Sequence, residues 1–285
     1  MNFDLHTHTN FSACANKENS WESLLTKAQE KGIELLSVTD HDTCLFHVIN
    51  HFTNTKRFFQ GKIIPGMECD VVEDGVTFEL LAYNFDVMKV FNWAYKVYGT
   101  LEIRQTRIKD ALVELVKQKS FAFDDKKPFN GKVDYAHKYV YEDMLTHTEN
   151  NDFFDKYQIK TLSDFYRLST TDKDFPLYMN MDQFWPSVDE VAKAIHEAGG
   201  IVVLAHPYNY KSNIDTNKLL QIVLEKDIDG VEVYHPSCDL EKINFLIKFA
   251  KKHNLIITGG SDYHGTEKHN TIGIDNCNKI EINLN

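Results

Sequence analysis

Hydrophobic positions along the chain fall into two alternating regimes. Short apolar runs rich in branched residues occur at Phe3–His6, Leu35–Thr39, Lys62–Pro65, Phe78–Tyr83, Ile201–Ala205, Gly230–Tyr234 and Leu255–Thr258, and runs of this length and composition predict buried strands. Most are separated by stretches with helical spacing of apolar residues: Trp21–Lys31, Cys44–Phe59, Val188–Ala198, Lys218–Lys226 and Leu240–His253. Ser187 followed by Glu190 has the form of a capping box, and Asn19-Ser20 suits the start of a helix at Trp21. Glycines at Lys31-Gly32 and Ala198-Gly199-Gly200 mark helix ends. Strands alternating with helices predict parallel pairing through right-handed crossovers. Seven such strands either close a barrel or form an open, doubly wound sheet.

The alternation breaks between about Asp86 and Pro186. This stretch opens with a long helical pattern, Val90–Lys119, that carries Arg104 and Arg107 on one face. A polar segment, Asp124-Asp125-Lys126-Lys127-Pro128, leads into aromatic-rich helical segments near Tyr139–Leu145 and Leu162–Leu168. The expected organisation is an α/β body of residues 1–86 and 187–285 interrupted by a helical insertion at 87–186.

Composition narrows the function classes. An apolar fraction of 42% and a charged fraction of 26% exclude wholesale disorder, and 285 residues bury enough surface to fold without staples. Cys14, Cys44, Cys69, Cys238 and Cys277 are odd in number and without paired spacing, so a disulfide framework is not expected and a reducing cytoplasm is. The first residues lack signal-peptide regions, and no apolar run approaches ~18 residues, so no membrane span is expected. A net charge of −11 opposes a long duplex nucleic acid and favours a compact partner held by a local basic pocket.

The chemistry lies where the strands stop. The first run leads into His6-Thr7-His8, the second into Asp40-His41-Asp42 and the third into Gly66-Met67-Glu68. The fifth leads into His206-Pro207, the sixth into His235-Pro236 and the seventh into Ser261-Asp262-Tyr263-His264. Carboxyl ends of parallel strands gather on one face, where active sites form. Residues scattered over the whole sequence are thereby predicted to converge. Imidazole with carboxylate and few thiols is the ligand mix of zinc, manganese or iron. His6 and His8, like Asp262 and His264, point to one side of an extended segment, and a carboxylate such as Glu68 has two oxygens with which to bridge two ions. Paired ions polarise a phosphoryl oxygen and turn bound water into hydroxide near neutral pH.

His6-Thr7-His8, Val38-Thr39-Asp40-His41-Asp42, Gly66-Met67-Glu68, Ala205-His206-Pro207 and Gly260-Ser261-Asp262-Tyr263-His264-Gly265 together resemble the PHP (polymerase and histidinol phosphatase) superfamily, in the family's order. The branch they look most like is the stand-alone phosphoesterases, which also carry a helical insertion before Ala-His-Pro. The resemblance implies a distorted (β/α)7 barrel with two or three divalent ions (manganese, zinc or iron), and hydrolysis of a small phosphorylated metabolite, nucleotide or short oligonucleotide by metal-bound hydroxide. It assigns a first ion to His6, His8, Glu68 and Asp262, a second to Glu68 and His206, and a third to His41 and His264. It implies further that Asp40 supports a ligand or the water; the leaving oxygen needs a proton, for which His41, His235 or a second metal-bound water is the candidate, and Arg104, Arg107 and His137 of the insertion are the candidates for holding phosphate as part of a lid. For Arg104 and Arg107 a solvated helix face is the alternative.

The sequence departs from the family pattern at three places. Where relatives have a histidine after the fourth strand this chain has Glu79, which is either a substitute ligand or a solvent-facing strand residue. Ala13 and Cys14 stand where a third-site ligand is usual, so Cys14 is either a thiolate ligand or a small buried hydrophobe. Cys238 takes the place of a histidine, for which nearby His235 compensates. Histidinol phosphatase is the alternative reaction, and a degenerate, non-catalytic metal-binding or regulatory module is the alternative class.

Overall fold

A computed structural model describes residues 2–15, 18–210, 215–265 and 271–274. His269 and Cys277 lie outside them. Seven strands, β1 (Phe3–Asp4), β2 (Leu35–Val38), β3 (Lys62–Glu73), β4 (Val76–Tyr83), β5 (Ile201–Leu204), β6 (Gly230–Tyr234) and β7 (Ile256–Gly259), form one sheet in sequence order. β1, β2 and β3 run parallel, as do β5, β6 and β7.

β4 departs from the predicted all-parallel pattern, because it pairs antiparallel with β5 from Leu80 opposite Leu204 to Tyr83 opposite Ile201. The reversal is made by Asp74-Gly75, both at positive φ (51° and 71°), the backbone of a tight hairpin turn. The same hairpin explains why β3 is longer than predicted. The strand runs through Glu68 and past it, so Glu68 projects from the middle of a strand and not from its end. Because β4 is reversed, its first half, with Glu79, lies where the parallel strands finish.

The edges of the sheet approach each other. The Leu5 N–H donates to the Gly259 carbonyl (3.2 Å), and beyond the strands Thr7 pairs with Tyr263 in a parallel bridge. One apolar cluster draws together Phe3, Leu5, Leu35, Ile64, Leu81, Tyr83, Val203 and Ala205. Neighbouring strands are ~4.8 Å apart, so β1 and β5 of a flat sheet would be nearly 20 Å apart. They share a core because the sheet curls. The Tyr83 hydroxyl, buried inside, donates to the Leu5 carbonyl (2.9 Å).

Helices cover the outside. α1 (Trp21–Glu30) starts at Ser20, whose side chain accepts from the Ser23 N–H, and packs Leu24, Leu25 and Ala28 against Leu36 and Val38 of β2. α2 (Leu45–Phe52) is shorter than the predicted Cys44–Phe59 and ends before a 3-10 turn at Thr55–Arg57. The long pattern Val90–Lys119 is in fact two helices, α3 (Val87–Val97) and α4 (Leu101–Gln118). Thr100 between them caps α4 by accepting from the Ile103 N–H (3.2 Å). α5 (Ala136–Leu145), α6 (Asn151–Lys156) and α7 (Leu162–Thr171) follow. α8 (Val188–Glu197) has the full Ser187–Glu190 capping box, and α9 (Thr216–Glu225) and α10 (Leu240–His253) complete the series. Among the described residues no helix is long and apolar enough to cross a membrane, and Cys14, Cys44, Cys69 and Cys238 form no disulfides.

The chain divides into two compact units. One comprises Met1–Val71, Phe78–Val97 and Pro186–Asn285, the other Val72–Thr77 and Tyr98–Trp185. The second unit has its own aromatic core, with Phe153 against Phe121 and Phe175 (4.4 and 5.4 Å between ring centroids) and Tyr141 against Phe165 (5.6 Å). His137 belongs to this core. It is 1% exposed, packs on Tyr166 at 4.9 Å, and neither ring nitrogen has a hydrogen-bond partner. Burial pushes its pKa down to about 3.

Two outcomes follow. Leu81→Ala should cost about 2–5 kcal/mol of unfolding free energy in urea titrations, because it empties a position at 0% exposure in the sheet interior. His137 stabilises the native state in full above its unfolded pKa near 6.5 and loses that contribution as pH falls towards 3. His137→Leu should therefore shrink the stability lost between pH 7 and pH 4 by about 3 kcal/mol, and an unchanged pH profile would refute the buried-neutral assignment.

Candidate metal centre

Six histidines and two carboxylates of the first unit meet at the end of the sheet where the parallel strands finish. Glu68 is their hub. Its Oε2 lies 3.3 Å from His6 Nε2, 3.2 Å from His8 Nε2 and 3.2 Å from His41 Nε2, while Oε1 lies 3.0 Å from His206 Nε2. Asp262 Oδ1 lies 3.5 Å from His6 Nε2, 3.3 Å from His8 Nε2 and 3.2 Å from His264 Nδ1, and its Oδ2 is 3.7 Å from His235 Nε2. His6, His8, Glu68 and Asp262 form one group of convergent ligand atoms, and His8, His41 and His264 form another.

The backbone is bent to achieve this. Asp262 (φ 52°), His206 (φ 23°) and Asp42 (φ 57°) all have positive φ, which is rare for residues with side chains. At Gly260 a Cβ would overlap the backbone nitrogen of His6, so only glycine lets β1 and the Asp262 loop approach so closely.

Three of the histidine rings are oriented by a group behind them. His6 Nδ1 faces Glu232 Oε1 at 3.1 Å, and Glu232 Oε2 accepts the His206 N–H at 2.8 Å. His8 Nδ1 faces Ser12 Oγ (3.2 Å), and Ser12 Oγ donates to Asp40 Oδ1 (2.7 Å) while accepting the His41 N–H (3.0 Å). His264 Nδ1 faces the Asp262 carbonyl (2.8 Å). In the neutral rings these partners place the proton on Nδ1 of His6, His8 and His264, so that Nε2 of His6 and His8 faces Glu68 and Asp262 while Nε2 of His264 faces Cys14.

His235 is wired the other way. Its Nδ1 accepts the Ser237 N–H (3.0 Å) and meets Ser237 Oγ (2.8 Å), so in the neutral ring the proton sits on Nε2, which faces Asp262.

The electrostatics demand positive charge. Burial opposes ionisation of Glu68, yet His41, His6 and His206 hold its pKa well below the ordinary carboxylate value. Asp262 is likewise driven low, against its burial, by His264, His235 and His8. Burial also opposes protonation of His6 and His206, but the carboxylates prevail. Glu68 and Glu232 raise His6 well above its usual range, and Glu68, Glu79 and Asp262 raise His206 to about 9.

His6 Nε2, His8 Nε2 and Glu68 Oε2 are nevertheless buried without a well-aligned hydrogen bond. Atoms ligating one divalent ion through bonds of about 2.0–2.2 Å lie about 3–3.5 Å apart, which is the spacing found here. The donor set fits a divalent ion of the zinc, manganese or iron type.

The other residues singled out from the sequence are placed as follows. The main-chain oxygen of Glu79 accepts from the Ala205 N–H, and its own N–H donates to the Tyr210 hydroxyl, so Glu79 stands beside His206 and is only partly exposed. Cys14 Sγ lies 3.1 Å from His264 Nε2. Cys238 contacts Ser237 (4.0 Å), and burial pushes its thiol up to about 11. Asp40 is held by Thr9 and Ser12 and reaches His8 through Ser12 without touching the cluster.

Arg104, Arg107 and His137 belong to the second unit. Arg104 is buried and donates to the Gly99 carbonyl (3.0 Å), and Arg107 donates to the Gln183 carbonyl (2.9 Å) over the Phe184 ring. His137, expected to face substrate, is instead enclosed by aromatic rings, because its position on α5 turns inward to the unit's core.

Sequence reasoning missed Glu232 and Asp4. Glu232 was marked only by being a lone carboxylate inside the apolar run Gly-Val-Glu-Val-Tyr. Asp4 lies inside β1, where its carboxylate accepts from the Ser261 N–H and Oγ–H and from the Gly273 N–H, tying β1 to the Asp262 loop.

The family signature of the PHP domain matches residues 4–205. The chain belongs to the PHP domain family. It is 25% identical over 92% of its length to the phosphoribosyl 1,2-cyclic phosphate 1,2-diphosphodiesterase of Eggerthella lenta, covering 94% of that protein. It is 23% identical, again over 92% of its length, to the 5'-3' exoribonuclease Rnm of Escherichia coli, covering 85% of it. Among solved structures, a candidate metal-dependent phosphoesterase from Bifidobacterium adolescentis superposes with a TM-score of 0.66 at 23% identity, with 96% of this chain and 92% of that one covered. An amidohydrolase from Chromobacterium violaceum solved with bound sulfate gives 0.66 at 18% identity, with 96% and 90% covered.

Because Glu232 holds both His6 and His206, Glu232→Gln should weaken divalent-ion binding about 10–100-fold while leaving the fold intact. Calorimetric titration of the chelator-stripped protein measures this, and unchanged affinity would refute the role.

Proposed function

We propose that this PHP-family protein is a metal-dependent phosphoesterase whose sheet forms a distorted (β/α)7 barrel around the cluster. The observation that carries the reading is the convergence of His6, His8, Glu68 and Asp262 at ligand spacing on buried, inward-turned atoms. These four would hold one ion. Glu68 Oε1 with His206, assisted by Glu79, would hold a second, and His41 and His264 a third. Bound ions of this kind supply Lewis acidity and a nucleophilic water at neutral pH.

The chain's own residues do the rest. Glu232 and the Ser12–Asp40 pair fix the ring orientation of His6 and His8. His235 presents an N–H at Nε2 next to Asp262, where it is placed to give a proton to a leaving oxygen. His41 is a less suitable donor, because its Nε2 is directed at Glu68.

The substrate class follows from charge and from kinship. The net charge of −11 favours one scissile phosphoester presented to a pocket over a polymer track. The named activities of the relatives, on a cyclic sugar phosphate and on the 5' end of RNA, have such a phosphoester in common. We therefore infer a small phosphorylated metabolite, a nucleotide or a short 5'-terminal oligonucleotide as substrate.

The test is a panel of phosphomonoesters, cyclic phosphodiesters, histidinol phosphate and short 5'-phosphorylated RNA, assayed with protein loaded with manganese, zinc or iron. Turnover should be abolished by chelation. Asp262→Asn should lower kcat/KM by about 10³-fold or more, or roughly 4 kcal/mol of transition-state stabilisation. Full metal occupancy with no substrate turned over would end the enzymatic reading.

A further inference from the structure

We propose that Lys242, a residue outside the cluster, is the positioning residue that keeps His235 a proton donor, and that it acts through Ser237. The inference rests on the phosphoesterase reading above and deepens it.

The first observation is the turn that follows β6. The Cys238 N–H donates to the His235 carbonyl (2.9 Å), closing a four-residue turn with Pro236 at its second position. Inside it the Ser237 N–H donates to His235 Nδ1 (3.0 Å), and Ser237 Oγ meets the same nitrogen at 2.8 Å. A side chain that accepts the N–H two residues on is the device of an Asx turn, with imidazole here in place of a carboxylate or carboxamide. The ring takes its direction from Ser237.

The second observation is that Ser237 is held from its other end. Lys242 Nζ donates to the Ser237 carbonyl (3.2 Å) and lies 5.3 Å from the centre of the Tyr208 ring, a cation–π contact. Asp239 accepts the Lys242 N–H (2.9 Å) and approaches Nζ (3.8 Å), which fixes where the first turn of α10 places that ammonium. One cation therefore ties the turn carrying His235 to α10 and to Tyr208, two residues beyond His206. Without it the Ser237 carbonyl is free to turn towards water, and the N–H on which Nδ1 rests shifts with it. The ring can then present a lone pair to Asp262 in place of an N–H, as a ligand histidine does. The Lys242 side chain is 37% exposed, so its replacement empties no core position.

Leaving-group dependence tests this. A positioned proton donor contributes about 10²–10⁴-fold, most where the leaving oxygen is strongly basic and least where it is weakly basic. Lys242→Met should therefore slow hydrolysis of an alkyl ester about tenfold more than that of the p-nitrophenyl ester of the same phosphate class, and Lys242→Arg should restore the alkyl rate. In a His235→Gln background Lys242→Met should add nothing. A readout independent of turnover is the nitrogen-15 spectrum of the zinc-loaded protein, with His235 assigned by its loss in His235→Gln. The ring should be protonated at Nε2 alone in the wild type and be a mixture of tautomers in Lys242→Met. No loss in Lys242→Met, equal losses on both esters, a loss that adds to that of His235→Gln, or a wild-type His235 protonated at Nδ1 would each overturn the proposal while leaving the phosphoesterase reading standing. A metal-loaded wild type that turns over neither ester would overturn both.

Discussion

A fully buried carboxylate at the centre of four imidazoles is the constraint around which the first unit is arranged. Glu68 is 1% exposed, and removing its charge from water carries a penalty of several kcal/mol that only positive charge or dense hydrogen bonding offsets. His6 and His8 approach it from the segment beyond β1, His41 from beyond the end of β2 and His206 from beyond the end of β5. Contact with one carboxylate therefore fixes where three strands end. Their own charges are balanced in turn by Asp262 and Glu232, so the cluster is stable as a set and unstable in parts.

That requirement explains the backbone irregularities. A regular parallel sheet would stop each strand at a similar height and point successive side chains alternately inward and outward. Here β3 continues past Glu68 so that its carboxylate enters from the side, and β4 is turned around by Asp74-Gly75 so that Glu79 arrives at the same end. Asp262 and His206 take unfavourable positive φ values to direct their side chains into the cluster. Strain of this kind, of order 1–3 kcal/mol per residue, persists where the surroundings over-determine it. Around Asp262 they do, through Asp4, Gly260 and the Thr7–Tyr263 bridge.

Much of this was legible in the sequence. Hydrophobic runs located every strand, and the strand-end motifs named the residues that converge, because the period of a strand and the parallel crossover are local rules. What was not legible depended on partners distant in sequence. The Asp74-Gly75 hairpin carried its own turn signal but lay between the third run, which read as ending at Pro65, and the fourth, which read as starting at Phe78. The break between α3 and α4 was hidden by continuous helical periodicity across Gly99-Thr100. His137 and Arg104 read as candidates for phosphate because a cationic side chain on a helix looks the same whether it faces solvent or core. Only the aromatic packing of the second unit shows His137 as core. Glu232 shows the converse, a residue whose importance comes wholly from two neighbours that the sequence does not place beside it.

The deepest layer that the sequence conceals is which nitrogen of each histidine faces inward. His6, His8, His235 and His264 are chemically one residue type on one face of one sheet. A carboxylate, a serine hydroxyl that itself donates to Asp40, and a backbone carbonyl occupy Nδ1 of His6, His8 and His264, and each partner needs a proton from the ring. At His235 the Nδ1 partner is a backbone N–H, which needs a lone pair, so the proton moves to the far side of the ring. One exchange of acceptor for donor, set by the turn His235-Pro236-Ser237, is enough to separate a histidine that offers a lone pair from one that offers a proton. The division between holding cations and moving protons is thus written in the groups behind the imidazoles and not in the imidazoles themselves.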